Sequence, residues 1–419
     1  MKRFITVITV LLLTLIPGNL PASAQSQESA GQAAGQPAPK QDSIEISLLT
    51  CTPGTEIWSE FGHTALRIHN LTRGVDAVVN YGMFSSNTPY FIPKFVFGLT
   101  DYQVGVEPFN TFLAEYIYEG RGVIEQRLNI SYADKVAICE AITENVKPEN
   151  QVYRYNFFYD NCTTRARDIV VDNLSGNVKY PPAMQDSCSF RQMVHRCTVD
   201  YPWTQFGEDL LLGIQADWQT SKSEQQFLPD NLRKDFDKAL YNGCPLVSST
   251  RMIVTPQPLS KGKNVPLSPM DVMMILLVVT VTLELFEHKS KKIFWGIDLF
   301  YMLLTGLTGI VITAMIFSQH PTVRVNLLIL ILNPLPLIFG YQAIRQTIKH
   351  EKYWWWTAWE VLIVLFMVGG FFQTYPSGMI VLALVLLTRP LMHHYMLNKT
   401  KESPHKNNIL IIKSNISNL

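Results

Sequence analysis

The pattern of apolar and polar positions divides this 419-residue chain into two parts. Before about residue 265, apolar residues alternate with polar ones or recur at helical spacing, as in a folded domain with a one-sided core. Beyond residue 268, apolar residues form long runs of about 20, the length that a helix needs to cross the hydrocarbon core of a membrane. We therefore predict a water-facing domain followed by a bundle of membrane-spanning helices.

The first part contains segments with the composition and alternation of β-strands. These segments are 43–51, 62–70, 76–84 and 121–130. The turn residues "HNLTRGVD" between the second and the third predict an antiparallel hairpin. Ser131 and Asp134 have the spacing of a capping box and predict a helix that continues to about residue 146. Another helix is predicted to begin near Cys162.

The apolar runs of the second part predict five membrane crossings. They lie at roughly 270–287, 293–317, 323–341, 355–372 and 376–396. Lysines and arginines lie in 288–292, in 342–353 and in the C-terminal tail, whereas the opposing short loops "SQHPT" and "QTYPS" contain none. By the positive-inside rule, residues 266–398 are a transmembrane domain and 399–419 a cytoplasmic tail.

The N-terminus has the features of an export signal. Two basic residues precede an apolar run, and "PASAQ" supplies the small residues that signal peptidase requires. Residues 1–24 are therefore predicted to be a signal peptide. Residues 25–42 are rich in Gln, Ala, Gly and Pro and predict a flexible leader. Residues 43–265 then form a periplasmic domain of a multi-pass protein of the cytoplasmic membrane.

Some polar, proline and aromatic residues interrupt the apolar runs. Four acidic residues lie near the predicted cytoplasmic ends of helices, where snorkelling lowers the cost of a charge. They are Glu284, Glu287, Asp298 and Glu360. Pro334 and Pro336 predict a kinked or broken third crossing. The tryptophans at 354–356 and Trp359 are predicted to anchor the protein at the membrane interface.

The segment "NFFYDNCTTRARDI" contains the strongest candidate for chemistry. If Asp160 or Asn161 caps the following helix, Cys162 lies in its first turn, where free backbone N–H groups and the helix dipole stabilise an anion. Such a setting lowers a thiol pKa and raises the fraction of nucleophilic thiolate. The same N–H groups, with Asn161, are candidates for stabilising an oxyanion. A buried or disulfide-bonded structural thiol is the alternative.

A cysteine nucleophile needs an imidazole base on a rigid neighbouring element. His63 is the best candidate, because Gly62 allows close backbone approach at the start of its strand. His69 and His195 are the alternatives, since the other histidines lie in or beside the membrane part or in the tail. Asn80, on the adjacent strand, is the candidate for orienting the imidazole.

The other cysteines suggest structural functions. Cys188 and Cys197 close a short loop and are predicted to form a disulfide in an oxidising compartment. Cys51 and Cys244 are a second possible pair, and Cys139 fits the apolar face of its helix. The chain has no Cys-x-x-Cys, His-Glu-x-x-His or Gly-rich phosphate motif, and its net charge is +1. We therefore predict that the protein binds no metal, no cofactor and no nucleic acid.

Longer phrases of the sequence resemble a known family. "LLTCTPGTEIWSEFGHTALRI", "VVNYG", "EQRLNIS" and "YRYNFFYDNCTTRARDI" are similar, in the same order, to those of the Lnb-type membrane-anchored bacterial lipoprotein N-acyltransferases. The resemblance covers roughly residues 43–200, and the membrane part is also similar. It implies an α+β papain-like thiol fold in permuted order, with His63 before Cys162, followed by an all-α membrane bundle of about five helices.

The resemblance also implies a reaction. An acyl chain would pass from a phospholipid, through a thioester on Cys162, to the α-amine of the N-terminal diacylglyceryl-cysteine of a lipoprotein. Arg165 and Arg167 are then candidates for binding the phospholipid head group, with ion pairs to Asp160 or Asp168 as the alternative. Two other functions are left open: a membrane-anchored cysteine peptidase or amidase of the NlpC/P60-like type, and a non-enzymatic membrane sensor or assembly factor.

Overall fold

The computed structural model describes residues 43–84, 89–180, 188–258 and 266–416. The predicted signal peptide and leader, residues 1–42, lie outside these residues. The described chain forms two compact units. The sheet unit consists of the described residues within 1–91, 100–188 and 220–262, and the helical unit of those within 92–99, 189–219 and 263–419.

The sheet unit is built on a seven-stranded antiparallel sheet. The strands are numbered in chain order: β1 (Ile44–Cys51), β2 (His63–Asn70), β3 (Val75–Met83), β4 (Asp101–Pro108), β5 (Val123–Leu128), β6 (Val152–Arg154), β7 (Val178–Lys179), β8 (Leu240–Tyr241), β9 (Cys244–Pro245) and β10 (Val247–Val254). The order across the large sheet is β10-β5-β1-β2-β3-β4-β6, and β7, β8 and β9 form a smaller sheet. The predicted hairpin of β2 and β3 is confirmed.

The helices are numbered in the same way. They are α1 (Phe91–Val96), α2 (Phe109–Tyr118), α3 (Tyr132–Asn145), α4 (Cys162–Val171), α5 (Phe190–Cys197), α6 (Pro202–Leu211), α7 (Lys222–Gln225), α8 (Pro229–Lys238), α9 (Pro269–Ser290), α10 (Trp295–Met315), α11 (Pro321–Arg324), α12 (Leu335–Ile348), α13 (Trp354–Gly369) and α14 (Met379–Ile416). The predicted capping box of α3 is confirmed, because Ser131 Oγ accepts from the Asp134 N–H and the Ser131 N–H donates to the Asp134 carboxylate.

The large sheet has helices on both faces, as the alternation of its strands requires. Leu48 and Leu66 point to the face covered by α3, α4 and α8, and Leu49 and Ala65 point to the face covered by α2. All four side chains are fully buried, and a buried leucine stabilises the fold by about 1.5–3 kcal/mol. The mixed α+β domain predicted from the sequence is therefore confirmed.

The helical unit contains segments that are long and apolar enough to cross a membrane. Among the described residues these are Pro269–Ser290, Trp295–Met315, Pro321–Ile348 and Met379–Lys399. The remaining predicted crossing, 355–372, corresponds to α13, an apolar helix of 16 residues. The helical membrane domain is confirmed, with four full-length spans and one shorter apolar helix. The predicted cytoplasmic tail continues α14 to Ile416.

The third span is broken, as its prolines predict. It consists of α11, a 3-10 turn over Leu327–Leu330, and α12, which starts one residue after Pro334. The backbone of Asn333 at the break lies against Gly309 of α10, where a Cβ atom would stand 2.3 Å from the Asn333 carbonyl carbon. Only glycine permits this approach, so the break is packed against a neighbouring helix.

Residues 189–219, which the sequence analysis assigns to the periplasmic domain, pack in the helical unit. Asn326 Nδ2 donates to the Leu210 carbonyl at 2.9 Å. Gln373 Nε2 donates to the Leu212 carbonyl at 3.2 Å and to Asn326 Oδ1 at 2.9 Å. These hydrogen bonds tie the segment to the broken third span and to the turn that follows α13.

Two predictions about the membrane part were wrong in detail. Three tryptophans predicted at the interface, Trp355, Trp356 and Trp359, are buried in the helical core, and only Trp354 is exposed. Glu287 and Asp298 do not extend to water, because Arg389 of α14 lies between them. Arg389 is itself fully buried, although no local pattern in the sequence distinguishes it.

Candidate active site

The helix that presents Cys162 begins as the sequence predicts. Asn161 is the N-cap, and its Oδ1 accepts from the N–H groups of Thr163 and Thr164, both at 2.9 Å. Thr164 Oγ1 completes the capping box by accepting from the Asn161 N–H at 2.8 Å. Cys162 is therefore the first residue of α4, at the positive end of the helix dipole. The cap is Asn161 and not Asp160.

The Asn161 side chain has no capacity left for substrate. Its Nδ2 donates to the carbonyls of Phe157 at 2.8 Å and Phe227 at 2.9 Å, while its Oδ1 accepts the two helical N–H groups. An amide nitrogen has only two hydrogens to donate. The predicted contribution of this side chain to an oxyanion site is therefore wrong, and its function is to fix the start of α4.

His63 is the first residue of β2, and Asn80 lies on β3 beside it. His63 Nε2 and Asn80 Oδ1 are 2.6 Å apart. Asn80 Nδ2 donates to Glu107 Oε1 at 3.3 Å, and this contact sets the direction of the amide. Because Asn80 Oδ1 then faces the ring, His63 Nε2 carries a hydrogen and Nδ1 is left to exchange a proton with the thiol.

The groups around Cys162 favour the thiolate form of its side chain. Burial alone would raise the pKa of Cys162, but the His63 imidazole beside it, with hydrogen bonds from the Thr64 N–H and the Thr163 hydroxyl, lowers that pKa to about 7. Burial lowers the pKa of His63, but the negative charge and hydrogen bond of Cys162 outweigh it and the net shift is upward. The two groups stabilise each other as a thiolate and an imidazolium.

A β-bulge keeps space open beside the nucleophile. The register of β3 and β4 shifts between Asn80 and Met83, and Gly82 within it has φ +85°. A Cβ atom at position 82 would lie 3.4 Å from the Cys162 Cβ. Glycine suits both the positive φ and the close approach, and the bulge re-aims the strand next to the thiol.

Aromatic rings border this space, because a Cβ atom at Gly82 would lie 3.9 Å from Tyr155 Cε2. Tyr102 and Tyr155 stack with their centroids 4.0 Å apart, and the rings of Phe61 and Phe157 are 4.8 Å apart edge to face. The space beside the thiol is therefore bordered by aromatic side chains.

The two arginines after Cys162 form ion pairs. Arg165 binds both Asp160 oxygens, at 2.6 and 2.8 Å, and its guanidinium lies 3.5 Å from the Tyr153 ring centroid. Arg167 binds Asp168 at 2.7 Å and donates to the Ser223 carbonyl at 2.8 Å. The ion-pair alternative of the sequence analysis therefore describes both side chains.

The alternative histidines have other partners. His69 Nδ1 lies 3.8 Å from a Glu45 oxygen. A strand rises about 3.3 Å per residue, so His69 is about 20 Å along β2 from His63. His195 Nε2 lies 2.9 Å from both oxygens of Asp209. Of the three candidates, His63 is the one that the structure brings to Cys162.

None of the six cysteines, all of which lie in described segments, forms a disulfide, so the predicted bridge between Cys188 and Cys197 is absent from the structure. Cys188 precedes the cap of α5 and Cys197 is its last residue. A helix of this length separates them by about 12 Å, whereas bridged Cα atoms are at most about 7 Å apart. Cys51 and Cys244 are also unpaired, and Cys139 lies in the core as predicted. The described residues contain no group of His, Cys, Asp and Glu that could hold a metal.

Sequence reasoning missed Glu107 and Gly82. Glu107 follows Gln103 and Gly105 at alternate positions of β4, a strand whose alternation is visible in "DYQVGVEP". Its importance comes from the pairing of β4 with β3, which places Gly105 opposite Asn80. Gly82 had a local signal, a glycine inside a strand pattern, which often indicates a bulge.

Two protein-family models match this chain. The family model of the Lnb N-terminal periplasmic domain matches residues 34–187, and that of the Lnb transmembrane domain matches residues 261–401. The chain belongs to the Lnb family. No curated protein and no solved structure matches it.

Lnb membership accounts for both halves of the chain. Cys162, His63, Asn80 and Glu107 all lie within the Lnb periplasmic domain match, and the membrane helices lie within the Lnb transmembrane domain match. The protein is therefore a multi-pass membrane protein with a periplasmic domain that holds the candidate site. The resemblance found in the sequence is confirmed at the level of the family.

Proposed function

We propose that this Lnb-family protein is a lipoprotein N-acyltransferase with a cysteine nucleophile. It would move an acyl chain from a phospholipid to the α-amine of the N-terminal diacylglyceryl-cysteine of a lipoprotein. The observation that carries the proposal is the Cys162 thiol at a helix start, with its pKa lowered to about 7 beside an imidazole whose pKa is raised. A substantial fraction of this sulfur is thiolate at neutral pH.

The first half of the proposed reaction forms a thioester. The Cys162 sulfur donates an electron pair to the ester carbonyl carbon, and the carbonyl π electrons move to oxygen. When the tetrahedral intermediate collapses, the C=O bond re-forms and the C–O bond to the glycerol breaks. The leaving alkoxide takes the proton held by the His63 imidazolium. The products are acyl-Cys162 and a lysophospholipid.

The second half transfers the acyl group to nitrogen. The lipoprotein amine attacks the thioester carbonyl, and neutral His63 accepts a proton from the nitrogen. Collapse breaks the C–S bond, forms the amide and regenerates the thiolate. Asn80 accepts from His63 Nε2 in both halves, so the ring keeps one orientation while Nδ1 gains and loses the proton.

The family architecture supports transfer over hydrolysis. Both proposed substrates are held in a bilayer by acyl chains, and the chain carries a membrane domain. The stacked rings of Tyr102 and Tyr155 beside the thiol offer apolar surface to an acyl chain. A peptidase or amidase would use the same cysteine and histidine with water as the acceptor, and its substrate would not require a bilayer.

The experiment is mass spectrometry of lipoprotein N-termini. We expect liposomes with the full-length protein, a phospholipid and a diacylated lipopeptide to yield an N-acylated lipopeptide. The Cys162→Ser variant should yield none, while Cys244→Ser, which removes an exposed thiol, should match the wild type. Unchanged N-acylation with Cys162→Ser would contradict the proposal. Release of peptide fragments or free fatty acid without N-acylation would favour the hydrolase.

A further inference from the structure

The proposed mechanism needs hydrogen-bond donors at the carbonyl oxygen, which becomes negative when Cys162 attacks. The helix start supplies few of them. The N–H groups of Thr163 and Thr164 are bonded to Asn161, and the Asn161 side chain is fully engaged. The N–H of Cys162, the first helical residue, has no partner within the helix. It provides one donor, and a second has to come from outside α4.

The buried hydroxyl of Tyr153, on β6, has no acceptor for its hydrogen among the described residues. The residue is 8% exposed, and its Oη makes no hydrogen bond that meets normal geometry with any of the described residues. Leaving a buried polar group unpaired costs about 1–3 kcal/mol. An unpaired hydroxyl destabilises the resting protein. Because this one lies beside the nucleophile, it is suited to donate a hydrogen bond to the oxyanion, which exists only during the reaction.

The hydroxyl faces the space beside the nucleophile. A Cβ atom at Gly82 would stand 3.4 Å from the Cys162 Cβ and 3.9 Å from the Tyr153 Oη, so both border the same small volume. This volume is free of side-chain atoms of residue 82, because that residue is glycine. The backbone N–H of Gly82 approaches the Tyr153 oxygen as a donor, so the phenol hydrogen remains available.

We propose that the Tyr153 hydroxyl donates a hydrogen bond to the oxyanion formed when Cys162 attacks an acyl carbonyl, with the Cys162 N–H as the second donor. This assignment rests on the proposed function, because it needs an acyl carbonyl as the substrate. Tyr153 makes and breaks no covalent bond. It stabilises the charge that moves onto oxygen and releases it when the C=O bond re-forms.

The surroundings of Tyr153 suit a donor. Burial, together with the negative charge at Cys162, raises the pKa of Tyr153, so the phenol stays protonated at neutral pH. The Arg165 guanidinium lies 3.5 Å from the ring centroid and is held there by Asp160. A cation over the ring withdraws electron density and strengthens the O–H as a donor. Asp160 and Arg165 thereby gain a function as positioning residues for Tyr153.

Two reactions of the same thiol test the assignment. The first is formation of the Cys162 thioester by the full-length protein in phospholipid vesicles. The second is alkylation by iodoacetamide, which attacks a saturated carbon and forms no oxyanion. Tyr153→Phe removes one oxygen and keeps the ring. We expect it to slow thioester formation by roughly 10²–10³-fold, the effect of losing one oxyanion donor, and to change alkylation by less than about twofold.

Tyr81→Phe is the matched control. Tyr81 is also buried with an unpaired hydroxyl, so this variant should match the wild type in both reactions. Equal thioester formation in Tyr153→Phe and wild type would overturn the assignment, and so would an equal loss of both reactions, which indicates a structural function. Absence of a thioester on the wild type would instead overturn the proposed function, and this assignment with it.

Discussion

The hydrogen-bonded network around Cys162 in the sheet unit and the network around Arg389 in the helical unit are assembled from different chemistry. In the sheet unit, hydrogen bonds link the Cys162 thiol to His63, His63 to Asn80, and Asn80 to Glu107. Two of these groups, the thiol and the imidazole, become charged by passing one proton between them. The charge in this network is therefore transferable.

In the helical unit the network is centred on the permanent charge of a guanidinium. Arg389 is fully buried and binds Glu287 at 2.6 Å, Asp298 at 2.8 Å and Glu284 at 3.3 Å. His393 Nε2 lies 3.0 Å from Asp298. Guanidinium does not lose its proton in proteins, so this network joins helices α9, α10 and α14 and has no nucleophile. The network around the thiol is partly exposed, whereas most of the network around Arg389 is fully buried. A thiol that can pass its proton to an imidazole distinguishes the site.

The largest expected effect comes from removing the base. His63→Ala should slow acyl transfer by roughly 10²–10⁴-fold, the usual contribution of a positioned base. Thioester formation in vesicles measures it, and His69→Ala is the control on the same strand. An effect below about threefold for His63→Ala would show that the network does not transfer a proton.

The same variant changes the pH dependence of the thiol. Iodoacetamide alkylation of the wild type should rise with pH around a midpoint of about 7, because only the thiolate reacts, and fall about tenfold per unit well below it. Without the imidazolium, burial still raises the pKa while the strongest opposing influence is gone, so the midpoint for His63→Ala should lie well above that of the wild type. An unchanged midpoint would mean that His63 does not stabilise the anion.

Arg389→Met should damage the network of the helical unit. It leaves buried carboxylates without their cation, and breaking a buried ion pair in this way costs about 3–5 kcal/mol. We expect a clear loss of thermal stability of the full-length protein in detergent. Lys399→Met is the control, because this cation lies on the same helix but is exposed. Equal stability of the two variants would show that Arg389 does not hold the helices together.

Changes to the two residues behind the imidazole, Asn80 and Glu107, should have the smallest effects. Asn80→Ala removes the acceptor from His63 Nε2, and a neutral hydrogen bond of about 1–1.5 kcal/mol corresponds to roughly a tenfold slower thioester formation. Glu107→Gln keeps an acceptor for the Asn80 amide and should change the rate by less than about threefold. A larger effect of Glu107→Gln than of Asn80→Ala would contradict the order of the network.

The residues of the site that could be predicted from the sequence are those with a local signature. Cys162 follows a capping residue at a helix start, and His63 follows a glycine at a strand start. Glu107 has no such signature. It matters because β4 pairs with β3, and the neighbours of a strand within a sheet are set by long-range packing, which a local pattern does not contain.

The membrane part shows the same limit. Length and hydropathy correctly indicate which segments are membrane helices, but not which face of each helix meets a neighbour, because rotation is set by packing. The Trp355 side chain and the carboxylate of Asp298 were therefore assigned to the interface and to water, and both are buried. For Cys188 and Cys197, closeness in sequence was misleading because an intervening helix holds them apart.

The hydrogen bond from Asn161 Nδ2 to the Phe227 carbonyl determines when, during synthesis and folding, the site can be completed. These residues are 66 positions apart, and a ribosome completes the first long before the second. Until residue 227 has been made and has folded back, the helix that presents the sulfur lacks one of its fixed contacts. The nascent protein therefore emerges with its reactive centre incompletely assembled, and acquires it when the last part of the sheet unit docks.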